Sequence, residues 1–408
     1  MNGIKESTIV LNIIGMCNSL NWGVFIGIFI SLVAGCGSAS SGLPNLTVAD
    51  FKDLQQTKNK IELKEKEALT YYSALMEAAN EVLFKGPFSV VHKSAIPPSG
   101  SKHDYMTWAP YFWPNPDTPD GLPYIRKDGE INPDTRDSHT DFEEKDQFFE
   151  ALDVLGKAYY FSGDKKYAYK AQALIRVWFL DSETAMNPHL NYGQGIPGQV
   201  EGRAFGIIEF GGIRNVLATL EILQWGDVLD TQTNKRFLKW LNTYSHWLQT
   251  SEIGQMEATR GNNHGTSYDL QLCNILLYLG ETEQIRNHLE NVTKKRITQQ
   301  IEADGRQPHE LARTKSFSYS VMNLTAFTKL AVLGKKLGVD LWNYQSKNGA
   351  GIKKAYKFLI PYLESDKKWD YAQIASLEEQ QQRFVRLVEL AGKEFGEEEY
   401  LALAKKYK

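Results

Sequence analysis

Four residues in the second half of the chain could together remove a proton from a carbon that carries a carboxylate. Asn263 and His264 are adjacent, and Arg313 and Tyr319 follow further along the chain. An amide and a guanidinium can stabilise the charge that develops on the carboxylate, while an imidazole or a phenol can act as base or acid. The set predicts β-elimination from a polymer of uronic acids.

The four residue types suit different parts of that reaction. Asn263 and Arg313 suit neutralisation of the carboxylate, the base could be His264 or Tyr319, and the acid could be Tyr319. A free tyrosine with a pKa near 10 is ionised to about one part in a thousand at neutral pH, which costs about 4 kcal/mol. Because a neighbouring cation lowers the pKa of a phenol, we expect Arg313 to lie beside Tyr319 and to lower its pKa.

Asn263 and His264 are predicted to lie at the start of one helix, and Arg313 and Tyr319 at the start of another. Gly265 and Thr266, followed by Asp269, indicate a helix with Thr266 as its N-cap and Asp269 in the capping-box position. Ser316 could cap a second helix, with Tyr319 in its first turn. Helix N-termini carry partial positive charge and free N–H groups, so two such ends could converge on one sugar carboxylate.

Two long non-helical stretches, 97–133 and 186–206, are rich in aromatic residues. Loops of this length are usually functional or disordered, and their aromatic content argues against disorder. Flat rings stack on the apolar face of a sugar, so we predict that these loops form the walls of a groove. With 9 Trp and 20 Tyr in the chain, core packing is the alternative role for such rings. The candidate substrate-binding residues, in these loops and near the four residues above, are Lys102, His103, Tyr105, Trp108, Tyr111, Trp113, Tyr192, Gln194, Arg203, Asn262, Arg306 and His309.

The rest of the chain predicts helix after helix, with few alternating strand patterns. Predicted helices cover about 49–84, 143–161, 166–179, 213–225, 232–249, 266–279, 282–300, 317–337, 350–363 and 376–405. Helices joined by short turns pack as antiparallel pairs. A ring of such pairs predicts an all-α fold, an (α/α) toroid or incomplete barrel whose long loops form a groove. A helical solenoid without a catalytic cleft is the alternative.

Composition limits the classes of partner. A formal net charge of −3 argues against a nucleic-acid-binding protein, so an anionic polysaccharide must be met by a local basic cluster. We find no phosphate-binding glycine loop and no clustered Cys/His spacing, so no metal site and no cofactor are predicted. His309 and Glu310 could be groove contacts, a metal pair or structural polar groups. We expect a monomer.

The N-terminal sequence is typical of an export signal. A weakly basic start is followed by an apolar run over 22–35, which is short for a membrane span. Residues 32–36 resemble a bacterial lipobox, so we predict a signal peptide over 1–36, lipidation of Cys36, a tether over 37–47 and one catalytic domain over 48–408. A bacterial lipoprotein in the outer membrane or periplasm follows, with a plain cleaved signal as the alternative. Cys273 is predicted to be a buried thiol, with no disulfide.

Four segments carry a resemblance to a known family. Residues 97–105, 109–114, 262–265 and 304–313 resemble the alginate lyase family of helical-toroid polysaccharide lyases. The resemblance covers roughly 85–345. It implies an (α/α) toroid that cleaves β-1,4-linked uronates by β-elimination and leaves unsaturated oligosaccharides.

The resemblance also implies roles for single residues. Asn263 and Arg313 would neutralise the carboxylate. His264 would be the base for an anti elimination, or a neutralising and orienting group. Tyr319 would be the acid, and also the base when proton and leaving group lie on the same face, as in mannuronate.

Three other functions stay open. Members of the family also act on glucuronate polymers. A helical-toroid glycoside hydrolase would need two facing carboxylates, for which the loops offer Asp104, Asp141 and Glu201. The third is a glycan-binding lipoprotein without catalysis.

Overall fold

The computed structural model describes residues 43–364 and 367–407. The predicted signal peptide, Cys36 and the first part of the tether lie outside the described residues. The α-helices are α1 (Phe51–Glu62), α2 (Lys66–Val82), α3 (Phe142–Ser162), α4 (Lys165–Phe179), α5 (Ile213–Trp225), α6 (Thr231–Thr250), α7 (Glu252–Ala258), α8 (Asn263–Tyr278), α9 (Thr282–His288), α10 (Lys294–Gln300), α11 (Pro308–Leu311), α12 (Ser316–Lys336), α13 (Ile352–Leu359), α14 (Leu377–Phe395) and α15 (Glu398–Lys406). None of the described helices is long and apolar enough to span a membrane.

The helices pack as two layers of a ring. Helices α3, α5, α8, α12 and α14 contact one another in that order. Helix α4 packs on α3, and α6 packs on α4 and α8, which builds the second layer. Helix α8 is buried over most of its length, as expected for a helix that is covered on several sides. The predicted (α/α) toroid is confirmed.

A continuous apolar core connects the helices from Val48 to Ala404. Aromatic rings fill much of it: Phe148 of α3 stacks on Trp178 of α4 with ring centres 4.6 Å apart. Trp240 and Tyr244 stack along α6 in the same way, 5.4 Å apart. Core packing therefore accounts for many of the rings in the helices, whereas several rings of the loops are partly exposed.

Several predicted helices are interrupted. The helix predicted over 49–84 is broken between α1 and α2, where Lys64 adopts a left-handed φ of 60°. The helix predicted over 376–405 is broken at Gly396, whose φ is 66°. The helix predicted over 282–300 contains a π-helical turn, Leu289–Thr293. Glycine readily adopts a left-handed φ, so the break at Gly396 could be predicted from the sequence. Lysine does not favour this conformation, so the break at Lys64 could not.

The two long loops are joined by short strands. Strand β1 (Met106–Trp108) pairs in parallel with β4 (Tyr192–Gly195), and β2 (Phe112–Trp113) pairs antiparallel with β3 (Ile125–Arg126). Two glycines permit the close approach of the second loop to itself, because a Cβ on Gly206 would lie 2.6 Å from the backbone of Gly193. The loops 97–133 and 186–206 therefore form one connected surface on the toroid.

Candidate active site

Tyr319 lies in the first turn of α12 and reaches the loop that carries Tyr111. The two phenolic oxygens are 2.6 Å apart. Nη2 of Arg313 is 3.3 Å from the Tyr319 oxygen, and its guanidinium lies 4.3 Å from the centre of the Tyr319 ring. The structure thus brings together Arg313, Tyr319 and one residue of the predicted groove.

Asp128 fixes Arg313 in this position. Nε of Arg313 donates to Oδ2 of Asp128 at 3.2 Å, and Nη2 donates to Oδ1 at 2.7 Å. Burial opposes ionisation of Asp128, but hydrogen bonds from Arg313 and Thr314 outweigh it and hold the pKa of Asp128 well below its usual range. Asp128 is therefore a permanent anion that orients the guanidinium. Nothing in the sequence near Arg313 pointed to it.

The pKa of Tyr319 is raised, whereas the sequence predicted a lowered pKa. Burial raises the pKa of Tyr319 well above its ordinary value, and the neighbouring Tyr111 adds to the increase. Arg313 acts in the opposite direction, as expected, but with a smaller effect. The expectation of a lowered pKa is wrong for the protein without substrate, because the cost of removing a phenolate from water exceeds the attraction of one cation. The protonated phenol is ready to act as an acid.

His264 is oriented by a buried carboxylate. Its Nδ1 lies 2.6 Å from Oε1 of Glu257, and Glu257 in α7 is completely buried. Phe205 contacts the other side of the imidazole, with ring centres 4.5 Å apart. A carboxylate at Nδ1 keeps the ring proton on that nitrogen, so Nε2 carries the free electron pair. His264 can accept a proton through Nε2.

Asn263 is held by Glu310. The backbone N–H of Asn263 donates to Oε1 of Glu310 at 2.7 Å, and Nδ2 donates to Oε2 at 2.6 Å. Both residues are buried, and Oδ1 of Asn263 has no hydrogen-bond partner in the described part of the protein. An amide nitrogen has two hydrogens. Glu310 accepts one of them, so the second hydrogen on Nδ2 is not bonded to Glu310.

Glu310 thereby has a structural role, one of the three considered for it. Burial raises the pKa of Glu310, while the two hydrogen bonds from Asn263 act against the increase. His309 is exposed next to it and faces Gly261. Among the described residues, no three His, Cys, Asp or Glu side chains come together as possible metal ligands.

The start of α8 differs from the prediction. Asn262, not Thr266, is the N-cap, and its Oδ1 accepts a hydrogen bond from the backbone N–H of His264 at 3.3 Å. Thr266 lies inside the helix and donates to Gln300 at 2.9 Å. Asp269 forms a buried ion pair with Arg296, 2.8 Å away. Thr266 and Asp269 have distant partners that override the local capping pattern.

The start of α12 also differs. The helix begins at Ser316, whose hydroxyl donates to the carbonyl of Ala372 at 2.6 Å, so Ser316 does not cap it. Lys315 is the N-cap residue and makes no side-chain capping bond. Tyr319 still lies in the first turn, as predicted.

Gln194 and Arg203 form a pair on the second loop. Nε and Nη2 of Arg203 donate to the backbone and side-chain oxygens of Gln194, both at 2.9 Å. The Arg203 guanidinium also lies over the rings of Phe112 and Phe205, at 5.2 and 4.5 Å. Burial, helped by the charges of nearby arginines, lowers the pKa of Arg203 to about 10. Arg203 remains a cation at neutral pH.

These contacts connect the two halves of the site. Tyr111, bonded to Tyr319, is followed by Phe112, which packs on Arg203. Arg203 in turn packs on Phe205, which contacts His264. His264 and Tyr319 therefore border one continuous surface made by both loops.

Three other predicted groove residues are half-buried on the loops. Trp108 lies 4.8 Å from the ring of His139. Trp113 donates through Nε1 to the carbonyl of Glu130 at 3.1 Å. Tyr192 lies on β4. Their partly exposed rings are compatible with contacts to a sugar.

Tyr105 is not a groove residue. It is completely buried, and its hydroxyl donates to Oε2 of Glu209 at 3.2 Å. Burial raises the pKa of Tyr105 well above its ordinary value. The prediction was wrong because alternate residues of β1 face the core, and Tyr105 directly precedes that strand.

Three other predicted substrate-binding residues have their polar groups engaged elsewhere. Nζ of Lys102 donates to the carbonyl of Lys93 at 2.9 Å, and Nδ1 of His103 lies 2.7 Å from the carbonyl of Ala185. Both side chains thereby hold the loop backbone. Arg306 is exposed and forms ion pairs with two neighbouring carboxylates, so its charge is already compensated.

Comparisons with known proteins identify the family of this chain. The family model described as alginate lyase matches residues 89–369. The crystal structure of an alginate lyase from Bacteroides ovatus is similar with a TM-score of 0.85 and 35% identity, covering 89% of this chain and 96% of that one. Alginate lyase A1-III from Sphingomonas species A1 has a TM-score of 0.51 and 18% identity over 78% of each chain, a likeness of fold.

A histidine-to-alanine variant of A1-III complexed with a tetrasaccharide is similar to the same degree, with a TM-score of 0.51 and 16% identity over 78% of each chain. A comparison with curated proteins gave no match. The family model spans most of the chain, and the Bacteroides ovatus structure shares both its fold and a third of its residues. This chain belongs to the alginate lyase family and is a polysaccharide lyase.

Proposed function

We propose that this enzyme cleaves alginate by β-elimination and prefers mannuronate-rich chains. The observation that carries the proposal is the position of the Tyr319 phenol, 3.3 Å from the Arg313 guanidinium and next to the loop surface. The similar protein from Bacteroides ovatus is named an alginate lyase, which supports the choice of polymer.

The reaction needs a base, an acid and a stabilised carboxylate. The base takes the C5 proton, the C5–H electron pair becomes the C4–C5 double bond, and the bond from C4 to the glycosidic oxygen breaks. The acid then gives its proton to that oxygen. Nη1 of Arg313 and the second Nδ2 hydrogen of Asn263 are the donors for the carboxylate, because Asp128 and the Tyr319 oxygen engage the other donors of Arg313 and Glu310 engages the first hydrogen of Nδ2.

The base depends on the sugar. In guluronate the C5 proton and the leaving oxygen lie on opposite faces, so His264 takes the proton through Nε2 and Tyr319 protonates the leaving oxygen. In mannuronate they lie on the same face, so Tyr319 performs both steps. Its phenol first releases a proton to solvent along the hydrogen bond with Tyr111, and the phenolate then carries the C5 proton to the leaving oxygen. Arg313 favours the phenolate, against the burial that raises the pKa of Tyr319.

The carboxylates considered for a hydrolase are poorly placed for that chemistry. Asp104 is buried and accepts hydrogen bonds from Ser99 and Asn187. Asp141 is buried and paired with Lys93 at 3.0 Å. Glu201 is exposed. Two buried, bonded side chains and one surface residue do not provide the facing pair that hydrolysis needs.

The test is to incubate the purified protein separately with poly-mannuronate, poly-guluronate and glucuronan. We expect ultraviolet absorbance from the new double bond to rise fastest with poly-mannuronate. A rise with glucuronan alone would refute alginate as the substrate. New reducing ends without absorbance would indicate a hydrolase, and binding without any product would indicate a glycan-binding protein.

We also propose that the protein is exported and anchored through a lipid on Cys36, which rests on the sequence of residues 22–36. Expression in a bacterium with a labelled fatty acid tests this. The wild-type protein should carry the label and Cys36→Ala should not, and an unlabelled wild-type protein would refute the anchor.

A further inference from the structure

We propose that Arg260 and Arg203 bind the carboxylate of the sugar adjacent to the one that is cleaved. This inference rests on the proposed function, because it requires a chain of consecutive uronates. It assigns a direct contact with substrate to Arg260, which is not among the substrate-binding residues predicted from the sequence.

Both guanidinium groups lie against the ring of Phe205. Cζ of Arg203 is 4.5 Å from the ring centre, and Cζ of Arg260 is 4.4 Å from it. Two cations that share one aromatic ring repel each other, and the charge of Arg260 contributes to the lowered pKa of Arg203. Such an arrangement is stabilised when an anion binds close to both charges.

Nη1 and Nη2 of Arg260 make no hydrogen bond among the described residues, so these two nitrogens can bind that anion. The nearest carboxylate oxygen is Oε2 of Glu257, 4.0 Å from Nε, which is too far for a hydrogen bond. Nε of Arg260 and Oε2 of Glu257 are both buried and have no hydrogen-bond partner among the described residues, so Nε faces Glu257 and is not a donor for a ligand. The Arg260 side chain is 40% exposed. By contrast, Asp128 binds the guanidinium of Arg313 through two nitrogens.

Arg203 contributes a smaller number of donors. Nε and Nη2 are bonded to Gln194, so Nη1 is the nitrogen that remains for a ligand. The bonds to Gln194 hold the guanidinium rigidly, which lowers the entropy cost of binding. A carboxylate could thus accept hydrogen bonds from Nη1 of Arg203, which Gln194 holds in place, and from the partly exposed Arg260.

The location of the pair determines which sugar it meets. The ring of Phe205 is 4.5 Å from the ring of His264, so the pair lies on the His264 side of the surface. Tyr319 has its own guanidinium, that of Arg313, 3.3 Å away. Two separate guanidinium positions match two successive uronates, each of which carries one carboxylate.

Binding to an inactive enzyme tests the inference without turnover. In a Tyr319→Phe background, calorimetry would give the Kd of a mannuronate tetrasaccharide with and without Arg260→Gln. We expect Arg260→Gln to raise Kd about tenfold or more, since a charge-assisted hydrogen bond is lost. The matched control is Arg286→Gln, a surface arginine 3.4 Å from Glu283 in α9, which should leave Kd unchanged.

Kinetics of the otherwise wild-type enzyme give the second readout. Arg260→Gln should raise KM while kcat stays within about twofold, because the residue binds ground state and transition state equally. Arg260→Lys should recover part of the affinity, since it keeps the charge but loses the planar fork.

An unchanged Kd would overturn the inference, and so would a large fall in kcat with unchanged KM, which would place Arg260 at the reacting sugar. Absence of double-bond formation by the wild-type enzyme would instead refute the proposed function.

Discussion

The neighbours of His264 leave it able to accept a proton, whereas the neighbours of Tyr319 keep it protonated. Glu257 keeps a proton on Nδ1 of His264 and leaves Nε2 able to accept one. Burial and Tyr111 keep the proton on Tyr319. Without substrate, the site therefore holds one base and one acid, the pattern for elimination across opposite faces. Same-face elimination demands the additional loss of the Tyr319 proton.

Replacement of Glu257 by Gln tests the orientation of His264. The variant removes the charge while keeping nearly the same shape, so we expect kcat on poly-guluronate to fall about 10- to 100-fold. Nitrogen NMR of the His264 ring should show loss of the single Nδ1–H form, a change that a purely structural role of Glu257 would not produce. Poly-mannuronate cleavage should fall less, because Tyr319 performs both steps there.

The control is Glu283→Gln on the surface of α9, where the side chain is 82% exposed and no change is expected. An unaltered His264 spectrum in Glu257→Gln would contradict the role assigned to Glu257.

The sequence identified the groups with recognisable chemistry but not those that hold them. Asn263, His264, Arg313 and Tyr319 could be found from residue type and motif. Asp128 lies 185 residues from Arg313 in the chain, and only the fold brings the two together. Glu257 is seven residues before His264, but on a different helix, α7. A carboxylate that holds another side chain through a tertiary contact cannot be recognised from the residues around it in the sequence.

At the level of elements, the beginning of α8 is fixed by α10. Nη1 and Nη2 of Arg296 donate to the carbonyls of Arg260 and Ala258, at 2.7 and 2.8 Å. The same guanidinium passes directly beside Gly265, where a Cβ would overlap Nη1 of Arg296 and the carbonyl oxygen of Arg260. The contact sets the position of Asn263 and His264, the two residues that precede Gly265.

Gly265→Ala should therefore destabilise the protein. Alanine favours a helix over glycine by about 1 kcal/mol, but overpacking against backbone and a buried guanidinium costs about 1–3 kcal/mol and should prevail. We expect a lower free energy of unfolding in urea, together with reduced lyase activity. Gly211→Ala is the control, because a Cβ there meets no atom within 4 Å. Equal stability of the two variants would contradict this packing.

The extent of most helices was predictable, whereas their ends were not. The pattern of apolar residues placed α5 at 213–225, as observed. It missed α7, which is too short to show a helical period. It also misplaced the start of α8, because Thr266 is bonded to Gln300 of α10. Periodicity reports which face is buried, while a helix end depends on partners elsewhere in the chain.

Across the whole molecule, the first described segment is attached to the toroid by Glu221 of α5. Its carboxylate oxygens accept hydrogen bonds from the backbone N–H groups of Val48 and Ala49, at 3.0 and 2.6 Å. Burial raises the pKa of Glu221 to about 7, despite those bonds. Glu221 therefore stabilises the fold when neutral and loses that contribution as it ionises.

The sign of the pH dependence follows from the raised pKa. The contribution of Glu221 is complete below its unfolded pKa of about 4.3 and is lost as the pH rises towards about 7. Glu221→Gln cannot ionise. We expect the Tm of the variant, relative to wild type, to increase by about 2 °C or more between pH 5 and pH 8. A constant difference in Tm over this range would contradict the assignment.

The toroid and the groove differ in how far the sequence reveals them. The toroid could be predicted because its helix pairs follow one another regularly in the sequence. The groove depends on the pairing of β1 with β4, strands of three and four residues that are too short to predict. That pairing brings Arg203 of the second loop to Phe112 of the first, and Arg203 also packs on Phe205. That register decides which aromatic residues are partly exposed, as Trp108 is, and which face the core, as Tyr105 does.

The most direct test of the mechanism is the rate of double-bond formation on poly-mannuronate by wild-type enzyme and Tyr319→Phe. The variant should keep the wild-type Tm and bind a mannuronate tetrasaccharide, while its rate falls at least about a hundredfold because it can neither take nor give a proton. Tyr169→Phe, a change at a tyrosine that is 58% exposed on α4, should retain the full rate. A Tyr319→Phe variant that cleaves poly-mannuronate at nearly the wild-type rate would contradict the proposed mechanism.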